Sequence, residues 1–268
     1  MNLKSLSQQI KIKESFLCVG LDIDLSKIPI HILDEEDPIF VFSKSIIDAT
    51  HKYAIAYKPN LAFFEAYGIK GWKAFEKTID YLKKNYPNHF IIADAKRGDI
   101  GNTSGRYAKA FFENYGVDAV TISPYMGRDS IEPFLSFKDK YAVLLALTSN
   151  EGSRDFQYLE EKGVPLYEKV LRLSKKFKNS HKLMYVVGAT KDDYFKKIRA
   201  LIPESFLLIP GVGSQGGDIN KVVKNLTKTS KNILINVSRA IIYASNSKEY
   251  LDAAEKSVDY FNSQIDFK

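Results

Sequence analysis

The chain has 268 residues, is 45% hydrophobic and 26% charged, and carries a formal net charge of +7. It holds no apolar run of the roughly 20 residues a membrane span needs, and its first residues lack the uninterrupted apolar core of a secretory signal, so no membrane partner and a cytoplasmic location are expected. The single cysteine, Cys18, excludes an internal disulfide and a multi-cysteine zinc site. The lysines are mixed with acids and not interleaved with stacking aromatics, which argues against a nucleic-acid partner. His31, His51, His89 and His181 have no metal-ligand spacing.

Taken in chain order, a strand-like run followed by an amphipathic run repeats about every 30 residues, the beat of βα units. Strands are predicted at 16–22, 54–60, 90–96, 117–123, 141–149, 183–189, 206–212 and 232–238. Helices are predicted at 38–52, 69–84, 103–115, 128–137, 164–178, 191–201, 217–229 and 246–264. Short continuous apolar strands suit a parallel sheet covered by helices. Eight such repeats in this length predict a (β/α)₈ barrel forming one domain over 1–268; an open doubly wound sheet is the alternative. The long connection at 150–163 is expected to be a mobile or oligomer-contacting loop.

Polar residues gather at the C-terminal ends of the predicted strands, the face where such barrels place their sites. They are Asp22, Lys58, Asn60, Asp94, Lys96, Thr148, Ser149, Pro210, Ser238 and Arg239. The stretch FIIADAKRGDIGNTS at 90–104 is the most informative. Strand alternation predicts that Asp94 and Lys96 share a face. Two opposite charges at the end of an apolar strand are either a structural ion pair or a catalytic one, since desolvating them is costly otherwise. Gly98 and Gly101 bend the chain, and Thr103 or Ser104 is placed to start a helix.

The seventh strand runs into PGVGSQGGD at 210–218. Its glycines are expected to expose N–H groups, and the next helix a positive N-terminus, as a phosphate cradle completed by Gln215 and Arg239. The formal Gly211-x-Gly213-x-x-Gly216 match to a dinucleotide fingerprint lacks the acid expected about 20 residues on.

The string DAKRGDIGNT at 94–103 closely resembles the signature of the orotidine 5′-phosphate decarboxylase family. VGLDIDL, YKPNLAFFE, TISPYMGRDS, PGVGSQGGD and NVSRAIIYA match in order, and the chain resembles the longer bacterial and protozoal subfamily. The resemblance implies a (β/α)₈ homodimer that converts orotidine 5′-monophosphate to UMP and CO₂ in pyrimidine synthesis without a metal or cofactor. It implies a catalytic array of Lys58, Asp94 and Lys96 with Asp99 of the partner subunit. Asp22 and Lys58 would lie near the ribose 3′-hydroxyl with Asn60 on the ribose side, Asp99 and Thr103 would reach the 2′-hydroxyl across the dimer, and Ile100 and Pro210 would line the base. Ser149, with Thr148 beside it, would read the pyrimidine edge, and Gln215 and Arg239 would hold the phosphate. Ser238 stands where many relatives have glycine, its N–H still a phosphate donor. A magnesium-dependent keto-gulonate-phosphate decarboxylase, which shares the Asp-x-Lys strand end, is the nearest alternative.

Overall fold

Each predicted run of aliphatic and β-branched residues forms a strand. In the computed structural model, which describes residues 1–213, 216–226, 230–265 and 267, these are β1 (Leu17–Leu21), β2 (Ala56–Pro59), β3 (Phe90–Arg97), β4 (Ala119–Ile122), β5 (Tyr141–Leu147), β6 (Leu183–Val187), β7 (Leu207–Pro210) and β8 (Ile233–Val237). They close a barrel in the order β1-β8-β7-β6-β5-β4-β3-β2. Neighbours pair in parallel, Leu21 opposite Pro59 and Ile122 opposite Leu144. In-register parallel pairing brings successive strand ends level, so Asp22 and Asn60 both emerge just beyond paired residues.

By internal contacts the chain falls into two compact units. The first is Met1–Ala95, Tyr115–Asp118 and Asn236–Lys268. Its core includes Phe42, Ile46, Phe64, Phe75 and Ile79 from helices Pro38–Thr50 and Gly68–Asn85 and the intervening turn, all buried. The second is Lys96–Asn114 and Ala119–Ile235. There Phe134, Leu171, Phe195 and Ile198 are buried on helices Arg128–Leu135, Leu166–Ser174 and Phe195–Leu201.

The N-terminal helix was not foreseen. Leu3–Lys13 is capped by the Asn2 side chain, which accepts from the Ser5 N–H at 2.8 Å, and it buries Leu6 and Ile10. Its last residue reaches the lower end of the first unit, where Lys13 Nζ donates to the His51 and Ala54 carbonyls at 2.6 and 2.9 Å. His89 Nε2 lies 2.9 Å from this ammonium. Burial first, then the ammonium, holds the imidazole down to about 4 against an ordinary 6.5. A depressed histidine is neutral in the folded protein while the unfolded chain takes up protons, so stability is complete above pH 6.5 and is lost as the pH falls toward 4. The loss should reach about 3 kcal/mol for this group. Urea unfolding between pH 7 and 4 checks it: His89→Gln should flatten the slope, and an unchanged slope would remove His89 as its source.

The 150–163 connection is organised. Ser153–Phe156 forms a helical turn, and Glu160–Glu161 pairs antiparallel with Val164–Pro165.

Candidate active site

The end of β2 and the end of β3 place one buried ion pair in the first unit. Lys58 Nζ stands 2.6 Å from Asp94 Oδ2, and both side chains are about nine-tenths or more buried. Burial alone would drag the Lys58 ammonium down; Asp94 and Asp22 outweigh it and hold the group above its ordinary value. Lys58 is therefore a fixed cation. Asp22 follows β1, and its Oδ1 is buried with no hydrogen-bond partner among the described residues. A buried acceptor left open marks a place where a ligand donor or water belongs. Cys18, below on β1, is inert: burial pushes its thiol up to about 12.

The loop carrying Asp22 is held by two tyrosines that the sequence reading missed. Tyr243 donates to the Asp22 carbonyl at 2.7 Å and accepts from the Asp24 N–H at 2.6 Å. Tyr67 accepts from the Leu25 N–H at 2.9 Å. Neither has a spacing signal, because each acts across a long stretch of chain. Asn60 caps the turn Leu61–Glu65, accepting from the Ala62 N–H at 3.3 Å. That engages its amide oxygen. Asn236, also unforeseen, is a buried polar residue on β8 whose Oδ1 has no partner among the described residues. Its signal was the asparagine that interrupts ILINV. Its Nδ2 donates to Ser238 Oγ at 3.2 Å. Ser238 in turn leans over Gly20, where an added Cβ would lie 1.9 Å from that hydroxyl. Ser238 thus occupies room that Gly20 leaves. Arg239 opens the helical turn Arg239–Ile242 and is exposed.

In the second unit the expected strand alternation fails at its most informative position. Lys96 has φ +48°, in the left-handed region that costs a residue with a Cβ about 1 kcal/mol or more. Thr121 Oγ1 accepts from the Lys96 N–H at 2.9 Å, and the Ser123 N–H donates to the Arg97 carbonyl at 2.8 Å, which fastens the strained backbone to β4. Asp94 is buried and Lys96 exposed, so their sharing a face does not follow from a regular pleat. Arg97 stacks its guanidinium over Tyr107 and Phe111. Asp99 Oδ1 accepts from the Ile100 N–H at 2.7 Å. Ser104 Oγ donates to the Asp99 carbonyl at 2.8 Å and accepts from its N–H at 3.3 Å, so Ser104 braces Asp99 rather than capping the helix, which begins at Gly101. Thr103 lies on the first turn of that helix, and Ile100 is exposed.

Thr148 and Ser149 follow β5, and Pro210 ends β7. Gln215 lies outside the described residues. The glycine turn differs from expectation. Gly211, Gly213 and Gly216 have φ of +97°, +78° and +81°, which explains glycine there. The N–H groups of Gly213, Gly216 and Gly217, however, donate to the carbonyls of Gly217, Gly213 and Gly211. They close the turn instead of facing an anion. The Asp218 carboxylate accepts from the Asn220 N–H at 2.8 Å and so already occupies the N-terminus of helix Ile219–Leu226. These N–H groups are therefore already engaged within the turn.

A closed parallel barrel with a buried Lys–Asp pair and an open buried carboxylate at C-terminal strand ends has the form of a (β/α)₈ enzyme. The chain belongs to the Orotidine 5′-phosphate decarboxylase / HUMPS family, which it matches over residues 15–254. It is 59% identical to the orotidine 5′-phosphate decarboxylase of Flavobacterium johnsoniae over 96% of this chain and 94% of that protein. It is 56% identical to that of Christiangramia forsetii over 99% and 97%. The structure of Leishmania donovani OMP decarboxylase superposes with a TM-score of 0.81 at 32% identity, covering 98% of this chain and 100% of that one.

Proposed function

We infer that the chain decarboxylates orotidine 5′-monophosphate to UMP and CO₂ in pyrimidine biosynthesis. The identity to named decarboxylases over nearly the whole chain supports this over the keto-gulonate alternative. The observation that carries the chemistry is the buried Lys58–Asp94 pair at 2.6 Å, at the ends of β2 and β3.

Loss of CO₂ from C6 leaves an electron pair on carbon with no electron sink in the ring. In this reading the Lys96 ammonium faces that developing charge and then gives its proton to C6. Asp94 stands by the departing carboxylate, and Lys58 holds Asp94 in place. Charges held in place before the reaction need no reorganisation at the transition state, often the largest catalytic contribution. The open Asp22 oxygen accepts from a ribose hydroxyl, and Asn60 donates nearby. Ser149 reads the pyrimidine edge, with Pro210 and Ile100 against the base. Arg239, the Ser238 N–H and Gln215 hold the phosphate, whose binding energy helps to order the site.

The protein works as a homodimer in which the partner's Asp99 and the partner's Thr103 complete each site. Exposed Ile100, Tyr125 and Met126, just past β3 and β4, support such an interface. Residues 1–268 act as a single catalytic domain in the cytoplasm; no helix among the described residues is long and apolar enough to cross a membrane.

No metal or cofactor takes part. The test is the absorbance change on adding orotidine 5′-monophosphate to chelator-treated protein. Undiminished turnover is expected. Activity lost on chelation and restored by magnesium would instead favour the keto-gulonate chemistry.

A further inference from the structure

The two residues after β5 do not hold themselves in place. β5 and β6 pair regularly to Leu145 opposite Val186; the register then shifts, so that Leu147 lies opposite Val187. Such a bulge re-aims the residues that follow it, here Thr148 and Ser149. Beyond it Thr190 Oγ1 donates to the Ser149 carbonyl at 3.3 Å, and one side chain from the following connection holds Thr148. Gln157 Oε1 accepts from the Thr148 N–H at 2.8 Å, and Gln157 Nε2 donates to Thr148 Oγ1 at 2.8 Å. The Thr148 hydroxyl proton goes to Asn150 Oδ1 at 2.6 Å. Thr148 therefore has its backbone donor and its hydroxyl proton engaged inside the protein and neither left for a base. Gln157 is itself tied at both ends, its N–H donating to the Ser153 carbonyl at 2.9 Å and its carbonyl accepting from the Tyr167 N–H at 3.0 Å. On the other side Ser149 rests directly on Gly188, where an added Cβ would lie 2.7 Å from the Ser149 N, Cα and Cβ atoms.

We propose that Gln157 is a positioning residue for pyrimidine recognition: its amide clamps Thr148, with Gly188 as the seat beneath Ser149, so that Ser149 meets the base edge. This rests on the reading of Ser149 given above. Gln157 does not touch the nucleotide. Its contribution is the orientation of Thr148 and, through it, of the Ser149 that follows the bulge.

The experiment compares equilibrium binding of UMP and of ribose 5-phosphate, which lacks the base, together with kcat, KM and thermal midpoint. Gln157→Ala should weaken UMP by about tenfold, the equivalent of one or two hydrogen bonds, and raise KM, while ribose 5-phosphate is held as in the wild type. Gly188→Ala, which displaces Ser149 without altering Gln157, should show the same selective loss. Gln157→Glu keeps one acceptor for the Thr148 N–H and offers the second to its hydroxyl, so it should recover most of the UMP affinity. Equal losses for both ligands, or no loss, overturn the proposal, as does a Glu variant as weak as the Ala variant. A wild-type protein that fails to turn over orotidine 5′-monophosphate, or binds UMP no better than ribose 5-phosphate, defeats the underlying functional reading instead.

Discussion

Lys96→Ala is expected to lower turnover by about 10⁴-fold or more, because in the proposed mechanism one ammonium supplies both the charge that meets the C6 electron pair and the proton that follows. UMP binding and the unfolding midpoint should stay close to wild type, since the side chain is exposed rather than part of the packed core. A left-handed backbone costs alanine about what it costs lysine, so the Thr121 tether remains. Asp99→Ala should be almost as inactive. If each site takes Lys96 from one protomer and Asp99 of the partner subunit, mixing the two inactive variants under subunit exchange builds one intact site in every mixed dimer. Random pairing makes about half the dimers mixed, so about a quarter of wild-type activity should return. Verified exchange with no recovery would place Asp99 in its own chain's site, and a Lys96→Ala enzyme of near-normal rate would take Lys96 out of the chemistry.

The second large effect concerns the buried pair. Lys58→Met leaves Asp94 without the ammonium now 2.6 Å from it. Removing one member of a buried pair should cost about 3–5 kcal/mol of stability, because the remaining charge keeps its desolvation penalty. The double variant Lys58→Met/Asp94→Leu removes both charges and should return to within about 1 kcal/mol of wild type while remaining catalytically dead. Urea unfolding of the two single variants and the double variant gives the coupling. Purely additive losses would mean that the pair does not act as a unit. The pH dependence has a definite sign. The folded Lys58 pKa lies above the ordinary 10.5, so its stabilising share is present at and below that pH and is lost as the pH rises through the folded value.

The strands and most helices were legible in the chain, because burial on both sides of a parallel barrel strand writes a continuous apolar run with polar residues at its end. LCVGL, FIIADAKR and ILINV carry that pattern, and each is a strand. The first helix had a pattern too, with Leu3, Leu6 and Ile10 at helical spacing and Asn2 as its cap, but it precedes the first strand and lies outside the βα beat. The family, the reaction and the list of strand-end charges were also open to reading from sequence, because those residue types in that order leave few chemistries.

What tertiary structure alone decided is how those groups are held. Alternation predicts the direction of a side chain only while φ and ψ stay extended, and Lys96 leaves that region because Thr121, a residue 25 positions away, accepts from its N–H. Glycine content signals a turn but not where its N–H groups go, and at 213, 216 and 217 they close on the turn itself. The clamp of Gln157 on Thr148 and the tyrosines that hold the Asp22 loop have no period, because hydrogen bonds between distant segments obey geometry, not spacing. The sequence by itself determined which strands form and which charges stand at their ends; only the folded chain decided which of those charges is buried, which backbone is strained and which oxygen is left open for a ligand.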